Sequence, residues 1–182
     1  MIKKTIREEI TKKRRELAPE LHFSMSASAC QRLLESSFWQ NSTKLALYVP
    51  IRSELDTKLL FEFAKKENKT ILLPRCEGKE MHFHRVDDPE TLKKGSFGIP
   101  EPDLNHPLEN DLSDALVVAP CVAVSKRKAR LGWGGGFYDR YFSKFKPKAI
   151  VAAVFDFQVS DCDFAESWDL VLDAVFTPTK TF

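Results

Sequence analysis

Apolar residues recur along this chain at two alternating periods, one helical and one extended. Ile2, Ile6, Ile10 and Leu17 fall roughly on one helical face, which predicts a helix over 2–17 that ends near Pro19. Segment 24–38 reads as a second helix. Leu45 to Val49 is a short apolar strand closed by Pro50. Leu55, Leu59, Leu60 and Phe63 make a helical stripe to about Glu67, preceded by a capping box, Ser53-Glu54-Leu55-Asp56, with Ser53 as the cap. Thr70 to Leu73 predicts a strand stopped by Pro74, and Met81 to Val86 a strand with one wetter face. Residues 87–114 are rich in Pro, Asp, Asn and Glu, and predict a long ordered connection that can lie over a site as a lid. Leu116 to Val124 and Ala149 to Phe155 are almost wholly apolar, as buried parallel strands are. Phe137 to Phe145 suits a helix, and Leu170 to Phe176 a last strand.

Strands alternate with helices. The fold class expected is therefore α/β: one domain spanning 1–182, a three-layer α/β/α sandwich on a mostly parallel, Rossmann-like open sheet. At 182 residues and 43% hydrophobic, the chain can bury such a core.

Charge changes the picture only locally. A net charge of +2 gives no bulk attraction to nucleic acid. Lys3, Lys4, Arg7, Lys12, Lys13, Arg14 and Arg15, however, crowd the first helix. Lys3 and Arg7 project together, four residues apart. Two readings of that pair stay open, a solubilising surface and a pair of cations reaching a phosphate, and spacing by itself favours the first. Cys30, Cys76, Cys121 and Cys162 lack C-x-x-C spacing and read as reduced, packed thiols. No apolar run reaches the ~20 residues of a membrane span. A cytoplasmic monomer with no nucleic-acid or membrane partner is expected.

Candidate chemistry concentrates in Arg130-Leu131-Gly132-Trp133-Gly134-Gly135-Gly136-Phe137-Tyr138-Asp139-Arg140. The glycines lie between a predicted strand and a predicted helix, where backbone N–H groups and the helix start favour phosphate. Lys126, Arg127, Lys128 and Arg130 precede the loop, and Asp139 offers a carboxylate suited to nucleotide-borne magnesium. The loop is neither a Walker loop nor G-x-G-x-x-G, so a phosphate cradle stands only a little ahead of a plain turn. Asp173 sits inside the last predicted strand, where an ionisable group needs a partner or a cation. The other acids of 156–173 read mostly as solvated loop charges. His82 and His84 share a strand face, and no third metal ligand is near in sequence, so they read as surface histidines.

With these residues in place, the sequence resembles the 5-formyltetrahydrofolate cyclo-ligase (methenyltetrahydrofolate synthetase) family over nearly its whole length. The resemblance rests on Lys3-x-x-x-Arg7, on Tyr48-Val49-Pro50 running into Glu54, on Leu73-Pro74-Arg75 and Gly98-Ile99-Pro100-Glu101-Pro102, and above all on the glycine loop, with Asp173-Ala174-Val175 as the last acidic strand. It implies an enzyme, a ligase with ATP as co-substrate and Mg2+ as cofactor, that converts 5-formyltetrahydrofolate to 5,10-methenyltetrahydrofolate through a phosphorylated formyl group. Carried over, Lys3, Arg7, Arg130, Leu131, Gly132, Trp133, Gly134, Gly135, Gly136, Phe137 and Tyr138 hold ATP, and Arg130 is catalytic. Val49, Glu54, Trp133, Gly134, Gly135, Gly136 and Phe137 border the folate, and Asp139 and Asp173 serve the magnesium.

Three positions depart from the family pattern, which usually reads Phe-Asp-x-x-Gly-x-Arg before the loop. Here Ser125 replaces the aspartate, Lys128 replaces the glycine, and Phe137 stands where tyrosine is common. The more basic hairpin motivates a second expectation, a catalytically degenerate nucleotide- or polyanion-binding protein on the same fold. Glu54 and Asp173 argue against it, since a plain polyanion site has no use for either acid.

Overall fold

The structure is a computed structural model and describes residues 2–95 and 98–182. Its elements in chain order begin with helices α1 (Ile2–Arg15), α2 (Pro19–Leu34) and α3 (Ser37–Gln40), strand β1 (Lys44–Ala46) and helix α4 (Lys58–Lys66). Strands β2 (Thr70–Glu77), β3 (Glu80–Arg85), β4 (Lys93–Lys94), β5 (Pro100–Glu101), β6 (Leu108–Glu109), β7 (Ala115–Val118), β8 (Ala123–Ser125) and β9 (Arg130–Leu131) follow. Helix α5 (Phe137–Phe142) and strands β10 (Ala149–Ala153), β11 (Val159–Ser160) and β12 (Ala174–Phe176) complete the chain.

The main sheet runs β12-β10-β7-β1-β2-β3-β6. Its first five strands are parallel, and β3 pairs antiparallel to both β2 and β6. The central strands are buried on both faces, which is why they read as apolar runs. Leu45, Leu116, Val118, Val151 and Ala153 face α2 and α4, while Ala46, Val117, Ile150 and Ala152 face α5 and its aromatics. The expected mostly parallel sheet with helices on both faces is what forms.

Boundaries move for identifiable reasons. The second helix starts at Pro19, because proline suits the first helical turn. The Ser53 cap does not form, and α4 begins only at Lys58 after Thr57. Pro74 does not stop β2: β1 has ended at Ala46, opposite Leu72, so that side of β2 is free and needs no proline N–H. Leu116–Val124 breaks at Pro120 into β7 and β8. Leu170–Asp173 runs beside the hairpin, with Val171 bridging Ala129, instead of joining the sheet. The 87–114 connection holds β4, β5 and β6, and its Ser96 and Phe97 lie outside the described residues. His84 is buried, with Nδ1 2.9 Å from the carbonyl of His106, and so is no surface histidine. All four cysteines are free thiols, and burial pushes Cys30 and Cys121 up to about 12, too high for reactive thiolates.

A small sheet, β11-β8-β9, stands beside the main one and carries α1. Ile6 and Ile10 pack against Val122, Ala123, Ala129, Leu131 and Phe164. Burying each isoleucine contributes about 1.5–3 kcal/mol, more than the ~0–1 kcal/mol of a surface ion pair. Apolar packing therefore docks α1, and its charges only aim.

The altered hairpin closes as an ordinary turn. Ser125 is buried, and its Oγ accepts the Ala129 N–H at 3.1 Å, a capping role for which a hydroxyl suffices. Lys128 takes the left-handed conformation, φ 65°, that glycine would adopt without strain, and its Nζ donates to the Asp173 carbonyl.

Candidate active site

A cleft of about 1140 Å3 opens beyond the carboxyl ends of β1, β2 and β7, where open α/β sheets bind ligands. It exceeds the ~300–1,000 Å3 of a typical single-ligand site. One wall is the glycine loop after β9. A second is α1, and a third is the 166–171 segment. The connection contributes Ile99, Pro100 and Glu101, so the expected lid does border the cleft.

The loop's glycines are required by geometry. A Cβ on Gly132 would collide with the Arg130 guanidinium. Gly134 and Gly136 have φ of 103° and 67°, a region side chains strain to occupy. Gly136 is the cap before α5, which has only six residues, so the loop amides outweigh any helix dipole.

Arg130 is 5% exposed, and its guanidinium lies 4.9 Å over the Tyr138 ring. Its Nε and Nη1 are buried without a hydrogen-bond partner, and so is the Tyr138 hydroxyl. Burial raises the Tyr138 phenol, with Arg130 opposing, and it stays protonated. Arg7 Nε donates to the Gly132 carbonyl at 2.8 Å. Lys3 Nζ is held by Glu166 and, at 2.7 Å, by Asp169. Burial lowers the Lys3 pKa, but its hydrogen bonds to those two carboxylates outweigh that and raise it above the usual lysine value.

At the other end of the cleft Glu54 is 5% exposed. Its Oε1 accepts from Trp133 Nε1 at 2.7 Å, and its Oε2 accepts from the Ile51 N–H at 2.9 Å. The Trp133 ring meets two guanidiniums, Arg14 at 5.2 Å and Arg52 at 5.0 Å. Val49, Leu131, Gly135 and Phe137 complete the walls, and Arg140 crosses Phe137 at 5.1 Å.

The two predicted metal carboxylates part company. Asp139 lines the cleft, half-buried, with Oδ1 accepting the Leu170 N–H at 3.2 Å. Asp173 does not line it. The Asp173 side chain is exposed on the amino-terminal side of the sheet and accepts the Ile150 N–H at 2.7 Å, which supplies the partner a strand carboxylate needs. Among the described residues no group of three or more His, Cys, Asp and Glu gathers as a metal cage. Magnesium does not require one: it takes one or two carboxylates and completes its shell with phosphate oxygens and water. Asp139 fits that demand.

Sequence reasoning missed Glu166 and Asp169, read as solvated loop charges, and Arg14, read with the charge of the first helix, and it did not single out Trp168 or Arg52. Lys3 and Asp169 meet only through the fold, so no local spacing could reveal them.

The profile described as the 5-formyltetrahydrofolate cyclo-ligase family matches residues 1–178. A 5-formyltetrahydrofolate cyclo-ligase of Haemophilus influenzae is 31% identical over 173 residues, 92% of each chain. The NMR structure of Aquifex aeolicus 5,10-methenyltetrahydrofolate synthetase superposes with a TM-score of 0.87 at 32% identity, covering 100% of this chain and 92% of that one. A Mycoplasma pneumoniae 5,10-methenyltetrahydrofolate synthetase, 23% identical with a TM-score of 0.80, covers 98% and 99% and shares the fold.

Proposed function

The chain belongs to the 5-formyltetrahydrofolate cyclo-ligase family and is an enzyme of that ligase class, and from that premise we propose that it closes 5-formyltetrahydrofolate to 5,10-methenyltetrahydrofolate using ATP. The formyl oxygen takes the γ-phosphoryl group, and ADP leaves with the electrons of the broken O–P bond. The second folate nitrogen then attacks the formyl carbon and gives up its proton. Phosphate departs with the formyl oxygen as the ring closes.

Such chemistry asks for positioning and charge neutralisation more than for a strong base. Arg130 neutralises the transferring group, Lys3 and Arg7 hold the outer phosphates, and the amides of residues 132–136 line the path. Lys3 must exchange Glu166 and Asp169 for phosphate as ATP enters. Glu54 accepts from the pterin edge, and Trp133 and Phe137 wall the folate. Bound magnesium would shield phosphate charge, and Asp139 is the carboxylate that would hold it.

One observation carries the reading: the buried Arg130 guanidinium has two nitrogens without partners beside a glycine loop. Buried donors left unpaired cost about 1–3 kcal/mol, so a ligand oxygen is the natural partner. Nothing in the hairpin's geometry favours the degenerate reading, since its atypical residues close an ordinary turn. The test is the absorbance of methenyltetrahydrofolate from purified protein and 5-formyltetrahydrofolate, with and without ATP and magnesium. Product that depends on ATP is expected. ATP binding without product would replace this reading with the degenerate one.

A further inference from the structure

A second pocket, about 520 Å3, lies behind Trp133 and is lined by Arg14, Arg15, Leu17, Pro19, His22, Arg52 and Ser53. No acid lines it. Arg52 borders both this pocket and the main cleft. Arg14 is 2% exposed, yet its Nε and Nη2 have no partner, and Nη1 reaches only the Cys121 carbonyl at 3.5 Å. The Ser53 hydroxyl is likewise buried and unpaired. Two residues that line the pocket, Arg14 and Ser53, thus hold three buried polar atoms without partners. Pro19 and His22 of α2 also line it, and the Ala18 cap of that sixteen-residue helix gives no side-chain hydrogen bond to its first turn. A role for Arg14 as cation at the end of α1 would need Nε and Nη2 on the last-turn carbonyls, and neither is there.

We infer that this pocket takes the glutamate carboxylates of the folate substrate. The inference rests on the proposed function: with the pterin on Glu54, the rest of the molecule leaves the cleft past Trp133 and Arg52. A carboxylate there satisfies Arg14 and Ser53 and meets the uncapped helix. Arg52 is the movable wall. It is exposed, and its contact with Trp133 is worth only ~0.5–1 kcal/mol, so it yields to an entering anion.

The test compares equilibrium binding of 5-formyltetrahydrofolate with that of 5-formyltetrahydropteroate, the same ligand without glutamate, in the full chain. Wild type should favour the glutamate-bearing ligand by about tenfold or more, the scale of a charge-assisted hydrogen bond. Arg14→Gln should reduce that ratio to within about twofold of unity, and Arg15→Glu, on the exposed rim, should shrink it in the same direction. If Arg14→Gln does not fold, the Arg15→Glu ratio decides. Equal wild-type binding of the two ligands, or an unchanged ratio in the folded variants, overturns the subsite and leaves the ligase reading standing. Failure of both ligands to bind wild type removes the ligase reading and the subsite with it. Inorganic phosphate that weakens both ligands equally would identify a free-anion site and overturn the assignment to the glutamate.

Discussion

Trp133 donates its indole N–H to Glu54 Oε1 across 2.7 Å, joining the glycine loop to the turn after β1. Glu54 is buried and forms no ion pair among the described residues, so this hydrogen bond and the Ile51 N–H supply its side-chain partners. Trp133→Phe keeps a ring and deletes the donor. Folate affinity should fall about tenfold, and denaturant unfolding should show a loss of about 1–3 kcal/mol from the stranded carboxylate oxygen. A change below about 0.5 kcal/mol in stability together with unaltered affinity would mean that water replaces the indole.

Arg130→Ala should cut kcat by about 10²–10³, the usual loss when one preorganised charge donor is removed, while folate affinity stays within about twofold. Gly132→Ala should mimic it in part, because the new methyl would displace the guanidinium. Affinity falling in step with turnover in either variant would argue for ground-state binding.

The Lys3 clamp gives a pH signature. Its folded pKa is raised, so the stabilisation it provides is fully present below the ordinary lysine value of 10.5 and fades as pH rises through the folded value. The stability difference between wild type and Lys3→Met, followed by thermal unfolding, should be constant at neutral pH and shrink on the alkaline side. A difference that grows with pH would contradict the clamp.

Lys128→Gly should stabilise the protein by roughly 0.5–1 kcal/mol by removing left-handed strain, a Tm rise of about 1–4 °C. The loss of the exposed bond from Lys128 to the Asp173 carbonyl offsets little of this. A fall in Tm would show that this contact outweighs the strain.

The sheet was legible because parallel strands buried on both faces leave continuous apolar runs, as in Leu116–Val118 and Ala149–Ala153. The glycine loop was legible because Gly132, Gly134 and Gly136 answer local steric demands. Strand ends were not, since whether Pro74 interrupts a strand depends on where β1 stops. The Ser53 cap was a local match that tertiary contacts overrode, with Glu54 drawn to Trp133. The position of Asp173 away from the cleft was not legible, because a strand pattern cannot show which edge of the sheet a residue occupies. Asp169 carried no signal at all, its partner being in the first turn of the chain.

The docking of α1 has a consequence for how this protein is made. Helix α1 is synthesised well before β8 and β9, on which it rests, and its Lys3 waits still longer for Asp169. The same helix supplies Lys3 and Arg7 to the cleft and Arg14 to the second pocket. Until α1 seats, the cleft lacks Lys3 and Arg7 and the second pocket lacks Arg14, so the two are completed in the same late step.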